Sequence, residues 1–206
     1  MAYRLYYWRL RGRGEQIRLL LNELGQDYED VYVSKDRGFP ELKAQGAGVL
    51  PFGSVPMLED GEFRLVEGPA IMTYLGRKHG LTPGDLESAA RVDAIVLGAE
   101  DMRMAYFRQL GDDERAGARR ARFVEGDWPE RWLRAWDGLL TLNGDNGFLV
   151  GDSVTPADLA VFDALDAIVT WVDGAGFGAF ERVGSFYRSI LARPAIAAYV
   201  ASDRRV

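Results

Sequence analysis

The character of this 206-residue chain changes once, across Gly80-Leu81-Thr82-Pro83-Gly84. Glycine and proline bracket a break in regular structure there. Before the break, strand-like and helix-like segments alternate; after it no convincing strand occurs. This asymmetry constrains the fold strongly. Alternating elements build a sheet covered by helices, whereas a long run of helices must pack on itself. The length suits one or two domains, and hydrophobic residues at 48% are enough for a core in each.

In the first part, Tyr3 to Trp8 reads as a strand by its aromatic content. It enters a turn rich in glycine and arginine, Arg9-Leu10-Arg11-Gly12-Arg13. A helix over Gly14 to Leu24 follows, with Ile17, Leu20, Leu21 and Leu24 on one face. Tyr28 to Val33 is a second strand, and Pro40 to Gln45 a short helix or irregular segment. Val55 to Leu58 and Phe63 to Val66 form a hairpin around Glu59-Asp60-Gly61-Glu62, and Gly68 to His79 is a third helix. The order is βαβ-α-ββα. Helices are expected in the second part over Glu87 to Leu110, Ala116 to Leu142, Ala157 to Val172, Ala179 to Leu191 and Pro194 to Ala201. Thr155-Pro156-Ala157-Asp158 is a strong helix start, with threonine as N-cap, proline at the first position and aspartate at the third. The expected division is residues 1–79, a linker at 80–86, and an all-helical domain at 87–206.

Several chemistries fall away. The chain has no cysteine, so disulfides, thiol nucleophiles and cysteine-based metal sites are excluded. The one histidine, His79, sits between Arg77-Lys78 and Gly80, as the cationic last turn of a helix before its glycine cap. That leaves no serious candidate for Ser-His-Asp catalysis. Asp158, Asp163 and Asp166 do not form a ligand-rich loop, and no metal is expected. A net charge of -6 disfavours nucleic acid. The basic run Arg115 to Arg122 reads as a solvated helix face. No apolar stretch approaches the roughly 20 residues of a membrane span, and the N-terminus does not resemble a signal peptide. Chemistry must therefore use Tyr, Arg, Lys, carboxylates, backbone donors, or a reactive group carried by the ligand.

The opening strand, turn and helix bring a phenol, a guanidinium and backbone donors to one strand end, where open α/β sheets bind ligands. In Ser54-Val55-Pro56-Met57 the proline opens a strand, and an X-Pro bond there can be cis. Gly68-Pro69 marks a helix N-terminus, where free N–H groups favour an anion. The run Tyr7-Trp8-Arg9-Leu10-Arg11-Gly12-Arg13, the segment Leu50-Pro51-Phe52-Gly53-Ser54-Val55-Pro56-Met57-Leu58 and the two-part architecture resemble the cytosolic glutathione S-transferases of tyrosine type. The likeness is closest to the sigma class, with pi and mu features. It spans essentially the whole chain.

The resemblance implies an α/β N-terminal thioredoxin-like domain plus an all-α C-terminal domain, glutathione as co-substrate, no metal, a homodimer and a cytoplasmic location. The implied reaction is conjugation of reduced glutathione to small hydrophobic electrophiles. The same thiolate would serve a glutathione-dependent isomerase or peroxidase, and the same fold a non-catalytic glutathione- or hydrophobic-ligand-binding protein. Tyr7 and Arg13 match the catalytic tyrosine and the arginine of its turn. Tyr6 is the adjacent competitor, and strand alternation turns the two phenols to opposite faces. Keeping the thiol ionised about 2 pH units below its ordinary value takes roughly 2.7 kcal/mol of differential stabilisation. A hydrogen bond to the charged sulfur contributes about 1.5–3 kcal/mol of that.

For glutathione itself, the resemblance implies contacts from Trp8, Phe39, Lys43, Ser54, Val55, Pro56, Glu67, Gly68 and Asp101. It implies a cis bond before Pro56, which presents the backbone of Val55 to the extended peptide. Lys43 would meet the glycyl carboxylate and the N-terminus at Gly68 the γ-glutamyl carboxylate. Glu67 would face the ammonium, and so would Asp101, arriving from the partner subunit. Two positions depart from the family pattern: Gly68 stands where serine is usual, and Phe39 where tryptophan is common. Leu10, Met104, Tyr106 and Phe107 are candidates for the electrophile pocket.

Overall fold

The computed structural model describes residues 2–107, 127–171 and 177–206, the side chains at 106, 127–129 and 171 excepted. The chain divides into two units. One is Met1–Leu81 together with Arg193–Val206, the other Thr82–Ala192.

The first unit contains β1 (Tyr3–Trp8), α1 (Gly12–Glu23), β2 (Tyr28–Val33), α2 (Phe39–Ala44), a short 3-10 turn at Gly46–Gly48, β3 (Met57–Asp60), β4 (Phe63–Val66) and α3 (Gly68–Lys78). The four strands form one mixed sheet in the order β2-β1-β3-β4. β1 runs parallel to β2 and antiparallel to β3, with Tyr7 opposite Tyr32 and Tyr6 opposite Met57. The expected α/β order is thus the observed one. Some boundaries move. β3 starts after Pro56, whose nitrogen cannot donate to the ladder, and runs to Asp60 because Gly61-Glu62 alone makes the turn. His79 caps α3 and is held at 2.7 Å from the hydroxyl of Tyr3.

The second unit holds α4 (Leu86–Phe107), α5 (Asp127–Leu142), α6 (Pro156–Trp171) and α7 (Glu181–Leu191). Residues 108–110, the start of the helix expected over Ala116 to Leu142, the basic run Arg115 to Arg122, and Val172 lie outside the described residues. The three aspartates of α6 have protein partners. Asp158 accepts from the N–H of Leu149 at 2.8 Å and of Thr155 at 2.7 Å, and from the Thr155 hydroxyl at 2.8 Å. Burial nevertheless pushes its carboxyl up to about 6, against the pull of those donors. Asp163 pairs with the buried Arg103, and Asp166 accepts from the Tyr187 hydroxyl at 2.8 Å.

The last helix, α8 (Pro194–Val200), packs with the first unit, although the sequence pattern groups it with the helices before it. Its partner is α1. The Tyr199 hydroxyl donates to Glu15 at 2.9 Å, Arg205 Nε to the same carboxylate at 2.8 Å, and Arg193 Nε to Glu23 at 2.9 Å. α1 is therefore enclosed on more than its apolar face. Glu15, Gln16 and Arg18 are as buried as Ile17 and Leu20. Arg18 is retained there by its bonds: Nε donates to Asp30 at 2.8 Å and a terminal nitrogen to the Leu10 carbonyl at 3.1 Å.

Candidate active site in the first unit

The turn after β1 is shaped around one phenol. Gly12 has φ +40°, a left-handed conformation that side chains disfavour. A Cβ at Gly12 would stand 2.7 Å from the Tyr7 hydroxyl, and one at Gly14 only 2.6 Å from Cδ1 of the Tyr7 ring. Both glycines are needed for Tyr7 to lie where it does. The ring is 5% exposed, and the backbone N–H of Arg13 donates to its oxygen at 2.9 Å. A donor aimed at that oxygen favours negative charge on it and strengthens the phenol as a donor to an anion, because bonds in a chain polarise one another. Arg18 holds the carbonyl of Leu10, so the turn is fixed from beneath by a buried cation. Leu10 itself is 46% exposed.

Tyr6 shares a buried cluster with Tyr7 but has charged neighbours of its own. The Arg4 guanidinium lies 5.1 Å from its ring, and Arg4 in turn pairs with Glu29 and Glu59. Burial, then the charge of Glu59, push the Tyr6 phenol above its ordinary value.

Around the turn lie the other expected residues of this unit. Trp8 at the end of β1 packs against Phe39 at the start of α2, ring centres 4.9 Å apart. Phe39 carries no N–H on its ring, and its contact here is packing. Lys43 on α2 runs along Gly53, where a Cβ would meet its Cε at 3.5 Å, so the exposed cation lies beside the loop carrying Ser54 and Val55. The Val55–Pro56 peptide is cis. Val55 is buried in a cluster with Tyr7, Leu50 and Met57, while Ser54 is exposed.

The N-terminus of α3 closes the set. Glu67 is exposed with φ +71°, and its carbonyl accepts from the Ile71 N–H at 2.9 Å. A non-glycine residue held there costs on the order of 1–3 kcal/mol, and such positions concentrate at ligand clamps. A Cβ on the buried Gly68 would lie 3.6 Å from the Arg13 carbonyl, 3.9 Å from Pro56 Cγ and 3.0 Å from Nε2 of Gln16. The structure thus gathers Tyr7, Arg13, Pro56 and Gly68 into one neighbourhood. It also adds Gln16, which sequence reasoning missed. Both polar atoms of the Gln16 carboxamide are buried without a hydrogen-bond partner. Each buried polar group left unmade costs about 1–3 kcal/mol. The signal in the sequence was slight: a polar residue beside the apolar face of α1.

Asp101, Met104 and Phe107 belong to the second unit, on the last turns of α4, with Asp101 exposed and the other two half-buried. The side chain of Tyr106 lies outside the described residues.

Residues 1–77 match the family model described as the glutathione S-transferase N-terminal domain, and residues 100–203 that of its C-terminal domain. Glutathione S-transferase P of Pongo abelii is 31% identical, the match covering 99% of this chain and 94% of that protein. The class-mu 26 kDa isozyme 1 of Fasciola hepatica is also 31% identical, covering 99% and 89%. Among solved structures, the Pi-class enzyme of Onchocerca volvulus superposes with a TM-score of 0.86 at 26% identity, over 97% of this chain and 92% of that one. Prostaglandin synthase D of Nilaparvata lugens shares the fold at a TM-score of 0.80 and 22% identity, over the whole of both chains.

Proposed function

This chain belongs to the glutathione S-transferase family and uses glutathione as co-substrate, and from that premise we propose that Tyr7, assisted by Arg13, keeps the thiol of bound glutathione ionised. The observation that carries the proposal is the Arg13 N–H donating to the Tyr7 oxygen at 2.9 Å, in a chain with no cysteine of its own. The nucleophile is the ligand's sulfur. The Tyr7 hydroxyl donates to the thiolate and keeps its proton, the backbone N–H of Arg13 supports the partial negative charge that builds on the phenol oxygen, and the thiolate attacks a soft apolar electrophile, forming the C–S bond as a leaving group such as chloride departs. Lys43 meets the glycyl carboxylate, the backbone of Val55 pairs with the cysteinyl residue, Trp8, Phe39 and Ser54 flank it, and the N-terminus of α3 takes the γ-glutamyl carboxylate beside Glu67.

The proposal extends to a cytoplasmic homodimer of sigma-like class. The class rests on the segment Leu50 to Leu58. The dimer is supported by exposed apolar side chains such as Phe52 and Leu97, and in it the exposed Asp101 would reach the partner's glutathione.

The test is conjugation of glutathione to a chlorinated nitroaromatic. Tyr7→Phe should lower kcat/KM by about 10- to 150-fold, the worth of one hydrogen bond to a charged group. Tyr6→Phe should leave it near the wild-type value. Loss confined to Tyr6→Phe would refute the assignment.

A further inference from the structure

We propose that Gln16 binds the γ-glutamyl α-carboxylate of glutathione, supplying the side-chain donor that Gly68 lacks. This rests on the glutathione reading above and concerns the chain's own departure from its family. α3 is an 11-residue helix, so its first N–H groups and its dipole favour an anion at Gly68. Position 68 offers only its backbone. The space where its side chain would begin is approached instead from α1, with Gln16 Nε2 3.0 Å from the Cβ position.

Gln16 is fully buried, and neither its nitrogen nor its oxygen has a hydrogen-bond partner. Its neighbours on α1 differ in this respect. Glu15 is met by Tyr199 and Arg205; Arg18 bonds to Asp30 and Leu10 and leaves only Nη2 without a partner, so of the three Gln16 alone makes no side-chain hydrogen bond. A carboxamide kept in a dry interior with its bonds unmade is unfavourable for folding alone, and an apolar side chain of similar volume would fill the same space better. The N-terminus of α3 lies beside it, at the Gly68 Cβ position. An amide nitrogen is a neutral donor, so it adds a hydrogen bond to the carboxylate without a second charge to bury.

The pairing is reciprocal. A hydroxyl at 68 and a glutamine at 16 compete for one space, so either can serve and both together crowd.

Calorimetric titration of the full chain with two ligands tests this. One is glutathione; the other is γ-aminobutyryl-cysteinyl-glycine, which is glutathione without its α-carboxylate. Gln16→Leu should weaken glutathione about 10- to 150-fold, as for one hydrogen bond to a charged group. It should leave the decarboxylated analogue unchanged. The same variant should unfold at the wild-type temperature or above, because an unpaired buried amide has been removed. Gln16→Met repeats the test should leucine pack poorly. Adding Gly68→Ser to Gln16→Ala should restore most of the lost glutathione affinity.

Equal affinity of wild type and Gln16→Leu for glutathione overturns the proposal. So does an equal loss for both ligands, which would mark Gln16 as packing. Wild type that binds neither ligand would overturn the glutathione reading itself, and this proposal with it.

Discussion

Two places in the first unit use a glycine to admit a neighbour, and they do so to different ends. At Gly12 and Gly14 the missing Cβ lets the Tyr7 ring settle into the turn after β1. At Gly68 it lets the Gln16 amide reach the start of α3. In the turn the admitted group already has its hydrogen bond, from the Arg13 N–H. At α3 both ends of the admitted amide are unpartnered. On the proposed function, the turn is thus a preorganised device for charge on sulfur, its geometry set before any ligand binds. The α3 site holds its bonding capacity for the ligand. One end of the cradle contributes chemistry, the other affinity.

The comparison can be broken first at the base of the turn. Arg18→Met removes the buried cation that holds Leu10 and faces Asp30, and leaves that carboxylate without its partner. The expected cost is about 3–5 kcal/mol of stability, read by denaturant unfolding. Unfolding at wild-type denaturant concentration would mean the turn is held by something other than Arg18.

A smaller and more specific break is Gly14→Ala. Its Cβ would stand 2.6 Å from the Tyr7 ring, so the ring must move. Overpacking of this kind costs about 1–3 kcal/mol. The displaced phenol should lower kcat for conjugation more than it raises the glutathione KM. Substitutions at Gln16 should do the reverse. If both sites changed the two parameters alike, the division between chemistry and affinity would fail.

Much of this was legible in the sequence, for physical reasons that can be named. The aromatic strand, the glycine-arginine turn and the Gly80–Gly84 break follow local rules of propensity and turn chemistry, and the observed βαβ-α-ββα order agrees with them. The start of α6 was equally readable, since a threonine cap and an aspartate three residues on are a local pair. Periodicity failed on α1. It marked Ile17, Leu20, Leu21 and Leu24 as the buried face, yet Leu24 is only half-buried while Glu15, Gln16 and Arg18 are buried. For Glu15 the cause lies far along the chain, because α8 folds back and brings Tyr199 and Arg205 to it. No pattern within a helix reports a partner about 190 residues away. For the same reason Gly68 read as a deficit, while its compensation sat on another helix.

The central claim is that Tyr7 keeps a borrowed thiol ionised. Ultraviolet absorbance of the thiolate, followed against pH in the glutathione complex, measures it most directly. The wild-type complex should ionise about 2 pH units below the free thiol. Tyr7→Phe should return the midpoint most of the way to the free value, with Tyr6→Phe remaining like wild type. A thiolate that persists at neutral pH in Tyr7→Phe, and is lost in Tyr6→Phe, would contradict the account.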